Sequence, residues 1–201
     1  EKILAQHMTY FADFMADRAP DIKGKRQIES IREIEVDFSN IRGAWEYAVN
    51  HTNYEALEQM TETLSLYVDM CAMYKVGEAL FADAVERLKP SNLDDIDPLF
   101  NRLRVRYLQI WILQEIRPIP QHMNELMDAS IEFANKHGDK LTLMLCYWLK
   151  SEFGRIRGDI EYRYYEAARK LASELKEPYY EGRILRVMDF SNTMLLGGKS
   201  D

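Results

Sequence analysis

The chain has 201 residues, 33 acidic against 26 basic, for a net charge of −7 at pH 7. Apolar residues make up 47% and charged residues 29%, a soluble globular composition rather than a disordered one. Gly (9) and Pro (6) together are about 7% of the chain against roughly 12% in average usage, which excludes a turn-rich sandwich or barrel. The acidic balance excludes a general nucleic-acid surface, because phosphate binding needs clustered positive charge.

Helical periodicity runs from end to end. Leu4, Met8, Phe11 and Met15 recur at steps of three and four, with Ala19-Pro20-Asp21 as a stop and Gly24 in the turn. A second segment over about 25–50 carries Ile28, Ile31, Ile34, Phe38, Ile41, Trp45 and Ala48 and is long enough to hold a kink near Phe38-Ser39-Asn40. His51-Thr52-Asn53 breaks the pattern, with Thr52 or Asn53 as the next N-cap. Leu57, Met60, Leu64, Tyr67, Val68 and Cys71 mark a third helix, and Leu80, Phe81, Ala84, Val85 and Leu88 a fourth over Gly77–Leu88.

Pro90-Ser91-Asn92 and the acidic stretch Asp94 to Pro98 predict a loop. A fifth helix follows over Leu99 to about Ile116, ended by Pro118 and Pro120. Its Arg102–Arg106 run alternates like a strand, but the three-four pattern persists on both sides. Gln121–His137, Asp139–Arg157 and Asp159–Lys176 come next, with Gly138 and Gly158 placed to take positive φ and Asp139 and Asp159 as N-caps. Pro178 breaks the eighth helix, and a ninth spans about 179–196.

Nine helices with short connections predict repeated hairpins. Phe81-Ala-Asp-Ala84-x-x-x-Leu88 lays over Leu126-Met-Asp-Ala129-x-x-x-Phe133 and Tyr164-Tyr-Glu-Ala167-x-x-x-Leu171. Small Ala suits a close helix crossing, with large residues filling the groove beside it. The spacings, about 45 and 38 residues, exceed the 34 of a strict tetratricopeptide repeat and suit its longer-helix relatives. The expected fold is all-α, a right-handed α-α superhelix of tetratricopeptide-like antiparallel helix pairs, forming one repeat domain over 1–201.

The first ninety residues carry a more specific pattern. His7-x-x-Tyr10-Phe11 opens one helix, Glu35-x-x-Phe38-x-Asn40-Ile41-Arg42-x-Ala44-Trp45-x-Tyr47-Ala48 closes the next, and Val76-Gly77-x-x-Leu80-Phe81-x-x-Ala84 follows. This resembles the helical region that follows the NTPase and winged-helix modules of bacterial signal-transduction ATPases with numerous domains, the MalT-like and AfsR-like transcriptional regulators. Over 91–201 the likeness is generic, with Arg157-Gly158-Asp159-Ile160 in place of the usual Gly-Asp-Tyr between paired helices. Ala72 stands where the family often has a turn Gly, Leu80 where it often has Trp, and Arg163 or its neighbours where a strict repeat wants Ala. The resemblance implies a sensor or protein-contact arm and not the ATPase itself; the ends, Glu1-Lys2-Ile3 and Gly197-Gly198-Lys199-Ser200-Asp201, are expected to be cuts from a longer cytoplasmic protein. None of the family's nucleotide-binding residues has a counterpart here.

Reactive constellations are missing from the sequence. Gly198-Lys199-Ser200 imitates the tail of a phosphate-binding loop, but the required upstream Gly is Thr193 and a helix, not a strand, precedes it. No Glu has His three residues later, His-Glu-x-x-His is absent, and neither Cys71 nor Cys146 has a neighbouring His. The two cysteines read as small core residues in a reducing compartment. His137 before Gly138 suits a helix C-terminus, and His122 pairs with Glu125 in solvent. His7 reads as packed against Tyr10 and Phe11. No apolar run approaches the roughly 18–20 residues of a membrane span. No cofactor or metal is expected.

The aromatic residues, 12 Tyr, 8 Phe and 3 Trp, are the remaining signal. In stacked hairpins the first helix of each pair lines the concave surface. Tyr67, Tyr74, Tyr107, Trp111, Tyr147 and Trp148, with Arg104, are the candidate groove residues on such helices. For each taken singly, core packing competes with recognition. The cluster Tyr162, Tyr164, Tyr165, Tyr179 and Tyr180 is too dense to be wholly buried. The expected function is a non-catalytic sensor or interaction domain. It would bind a partner protein, a neighbouring NTPase module of the same chain or a small effector, and neither nucleic acid nor membrane. A helical enzyme or cofactor-binding bundle and a structural dimerisation spacer are the rival readings.

Overall fold

The computed structural model describes residues 1–92, 96–115, 119–159 and 161–197. Leu93 to Asp95, Ile116 to Pro118, Ile160 and the Gly198-Lys199-Ser200 tail fall outside the described residues, and with them part of the acidic stretch and the Pro118 stop. Among the described residues the chain is all-helical: α1 (Lys2–Ile22), α2 (Gln27–Asn50), α3 (Tyr54–Met70), α4 (Tyr74–Arg87), α5 (Pro98–Leu113), α6 (Gln121–His137), α7 (Lys140–Arg157), α8 (Tyr162–Glu174) and α9 (Pro178–Gly197). The Arg102–Arg106 run lies within α5 as helix. No described helix is long and apolar enough to cross a membrane.

The helices divide into two compact units, Glu1–Leu113 and Gln114–Asp201. In the first, α1, α2 and α3 pack on one another, and α3 packs also on α4 and α5. Enclosed on several sides, α3 buries polar residues beside its apolar stripe: Thr61, Thr63 and Ser65 with Leu57, Met60 and Leu64. Burial of a hydroxyl costs free energy unless it is bonded. The Thr63 hydroxyl accordingly donates to the Met15 carbonyl of α1 at 2.8 Å. Trp45 of α2 packs on Phe81 of α4, ring centroids 5.1 Å apart, and donates Nε1–H to the Leu80 carbonyl at 3.3 Å. Side chains of this size contribute about 1.5–3 kcal/mol each when fully buried.

In the second unit α7 packs on both α6 and α8, and α8 on α9. Its core holds Leu149, Phe153 and Cys146 of α7 with Tyr165, Ala168 and Ala172 of α8.

One turn recurs in both units. A residue with left-handed φ follows five of the helices, α2, α3, α6, α7 and α8: Thr52 (53°), Ala72 (52°), Gly138 (68°), Gly158 (80°) and Lys176 (57°). In every case its N–H donates three residues back, and the next N–H reaches five residues back. The latter bonds are Asn53→Ala48, Met73→Val68, Asp139→Ala134, Asp159→Gly154 and Glu177→Ala172, at 2.8–3.0 Å. This is the Schellman arrangement, which satisfies carbonyls otherwise orphaned at a helix end. Asn53 and Asp139 then cap the following helix, accepting from Ala56 N and Thr142 N. Thr52 is the left-handed residue and not the cap. Asp159 is not a cap either, since α8 begins later, after Glu161.

The register of the repeat differs from the sequence alignment in two helices. Ala84 is buried as expected, but Ala129 is exposed and Ala167 half-buried. The buried sets are Ile41/Ala44/Ala48, Phe81/Ala84/Leu88, Met127/Ser130/Ala134 and Tyr165/Ala168/Ala172. Large-x-x-small-x-x-x-apolar therefore recurs on α2, α4, α6 and α8, one residue later in α6 and α8 than the letters suggest. Ser130 conceals the match, because its hydroxyl is bonded to the Leu126 carbonyl at 2.8 Å and so serves as a small core residue.

Pro20 does not end α1, which continues to Ile22. Placed in the last turn, it forfeits a single intrahelical bond. Gly24 meets a steric demand there: a Cβ would lie 2.9 Å from the Pro20 carbonyl oxygen. α2 runs unbroken through Phe38-Ser39-Asn40, where Asn40 Nδ2 donates to Asp37 at 2.9 Å. Cys146 is buried, but Cys71 is only half-buried.

Candidate functional site

The candidate groove residues fall into two groups. Tyr67, Arg104, Trp111 and Trp148 are core residues, 2%, 5%, 7% and 3% exposed. Tyr74, Tyr107 and Tyr147 are half-buried and keep part of their surface in solvent. Tyr74 opens α4 and so belongs to the second helix of its pair, not the first.

Tyr67 shows why an aromatic on a first helix turns inward. Its ring packs on Phe38 of α2 at 5.2 Å. Burial, with the Cys71 thiol and the Glu35 carboxylate nearby, pushes its phenol up to about 12. Burial also pushes the Cys71 thiol up, and Glu35 adds to this, while a hydrogen bond with Tyr67 opposes it. A thiol held protonated is a poor nucleophile.

What the odd helices of the first unit offer instead is a ladder of charged side chains. Gln59 of α3 donates to Asp13 of α1 at 3.3 Å. Glu62 of α3 accepts Lys23 at 3.2 Å and faces Arg106 of α5 at 3.8 Å. Glu58 of α3 pairs with Arg102 of α5. Arg106, almost fully buried, also donates to Gln109 at 2.8 Å, and Arg104 donates to Asn101 at 2.6 Å. The arginines of α5 are thus ion-paired or bonded within the protein. Burial, with Glu78 of α4 nearby, raises the phenol of Tyr107 on α5. Tyr74 lies one turn before Glu78 on α4, and the Glu78 carboxylate accepts from Lys75 at 3.3 Å. A cleft of about 230 Å³ at the α2–α3 turn and the end of α4 is lined by Thr52, Tyr54, Arg87, Lys89 and Phe100.

In the second unit Tyr147 stacks on Tyr164 at 5.8 Å. The Arg183 guanidinium of α9 sits 5.0 Å over the Trp148 ring and donates to the Tyr179 hydroxyl at 3.1 Å, a cation–π arrangement. Tyr165 and Tyr180 are fully buried, whereas Tyr162, Tyr164 and Tyr179 are half-buried. The sequence did not single out Glu152, 4% exposed. It accepts the Tyr165 hydroxyl at 2.7 Å and Arg155 Nε at 2.8 Å. Arg155 reaches on to Glu115 at 2.9 Å. Burial works against the Arg155 charge, but Glu152 and Glu115 outweigh it and raise its pKa. The only sequence signal for this network was the i,i+3 spacing of Glu152 and Arg155.

Three of the four histidines cap or pack. His51 and His137 each place Nδ1 2.9 Å from the carbonyl four residues back and stack on that residue's ring, Tyr47 and Phe133 respectively. His7 packs on Phe11 at 4.7 Å. Among the described residues there is no group of three or more His, Cys, Asp or Glu side chains placed to hold a metal ion. No family model, curated protein or solved structure matches the chain.

Proposed function

We propose that the chain is a non-catalytic interaction arm, a run of tetratricopeptide-like helix pairs wound into a right-handed superhelix. It would serve a bacterial signal-transduction ATPase or transcriptional regulator in the cytoplasm. Its partner is the NTPase module of the same protein, another protein or a small effector, bound in a concave groove of the helix pairs. A ligand there acts by favouring one docked state of the arm over another, through its differential affinity for the two. The carrying observation is the repeated hairpin itself: one hydrogen-bond pattern at five turns and one buried register on four helices. Repetition of this kind builds extended binding surfaces. The resemblance of residues 1–90 to the helical region of such regulators supplies the biological setting.

The test is calorimetric titration of the chain against the nucleotide-binding module of its parent protein. Tyr74→Ala with Tyr107→Ala should weaken binding at least about tenfold while helicity is retained. Binding untouched by this pair would contradict the reading, as would substrate turnover by the chain alone. The sequence upstream of Glu1 in the parent gene should encode a phosphate-binding loop and a winged helix, and an unrelated catalytic domain there would remove the setting.

A further inference from the structure

We draw no further inference here: the strongest candidate, the cleft of about 230 Å³ at the α2–α3 turn and the end of α4, carries nothing, because residues 93–95, between its lining residues Ser91 and Asp97, lie outside the described residues, and its cations Arg87 and Lys89 stand with the carboxylates of Asp83 and Asp97, so that no single ligand chemistry is selected.

Discussion

The two units solve the same problem with different residues. In the first, the α2–α3 and α3–α4 turns hold Thr52 and Ala72 at left-handed φ. In the second, the α6–α7 and α7–α8 turns hold Gly138 and Gly158 there, with the same pair of hydrogen bonds. A left-handed backbone costs a residue with a Cβ about 1–2 kcal/mol. That the geometry survives at Thr52 and Ala72 shows that hairpin packing imposes the turn and the residue conforms. The enclosure of α3 by α1, α2, α4 and α5 supplies the constraint. Lys176, in the α8–α9 turn, shows that the second unit also tolerates a side chain at this position.

The comparison breaks most sharply at the helix glycines. A Cβ on Gly154 would lie 2.3 Å from the Asp159 carbonyl oxygen and 3.5 Å from the Glu161 amide nitrogen, because the chain doubles back over α7 after Gly158. Backbone, not a movable side chain, is in the way. Gly154→Ala should destabilise the second unit by about 2 kcal/mol or more, even after the gain of about 1 kcal/mol in helix propensity. Urea unfolding followed by the fluorescence of Trp148, on the same helix, in a background with Trp45 and Trp111 replaced by Phe, reads this directly. An unchanged midpoint would mean that the α7–α8 turn relaxes freely.

Gly77 of the first unit is the milder counterpart. Its Cβ would meet Val68 Cγ1 at 2.4 Å and Ile110 Cδ1 at 3.2 Å, both side-chain atoms that can shift. Gly77→Ala should cost about 1 kcal/mol, measured by urea unfolding of a Trp148→Phe background, in which Trp45 and Trp111 report on the first unit. A loss as large as that of Gly154→Ala would show that α4 is wedged between α3 and α5 as rigidly as backbone against backbone.

The turns themselves give the next effect. Thr52→Gly and Ala72→Gly should each stabilise the first unit by up to about 1 kcal/mol, the relief of left-handed strain offset by the entropy of Gly in the unfolded chain. Thr52 is β-branched and should gain the more. Gly158→Ala should lose about the same amount. Thermal midpoints of the three variants decide it, and a destabilising Thr52→Gly would show that its side chain contributes more than its backbone costs.

Most helix boundaries were legible because they rest on local chemistry. Gly138 and Asp139 mark the end of α6 and the cap of α7 in letters as in space. Thr52, Ala72 and Lys176 do not advertise left-handed turns, since nothing in those side chains favours the conformation. The repeat register slipped at Ser130 because a bonded hydroxyl counted as polar in the sequence and as small in the core. The candidate groove was read from aromatic residues on first helices, and four of the seven named residues, Tyr67, Arg104, Trp111 and Trp148, lie inside. Periodicity tells which residues share a helix face. It does not tell which faces an enclosed helix such as α3 or α5 has left for solvent. The charged ladder from Asp13 to Arg106 joins residues distant in sequence, and no spacing rule foretells it.

The effect smallest at neutral pH separates the interiors of the two units by their alkaline response. In the second, the buried Tyr165 hydroxyl is committed to Glu152. In the first, the Tyr67 phenol is pushed up to about 12 by burial, Cys71 and Glu35. The unfolded chain releases that proton near the ordinary value of 10.0, the folded chain only near 12. Between those values the unfolded state binds fewer protons, so stability falls as pH rises. Below about 10 the contribution of Tyr67 is fully present. Cys71, raised from its ordinary 9.0, adds loss of the same sign beginning at lower pH. The urea midpoint of the first unit should therefore decline from about pH 9 to 12. Tyr67→Phe should flatten the upper part of that decline and Cys71→Ser the lower part, with little change at pH 7. A decline equally steep in Tyr67→Phe would place the alkaline sensitivity elsewhere, with Tyr107 beside Glu78 the next group to replace.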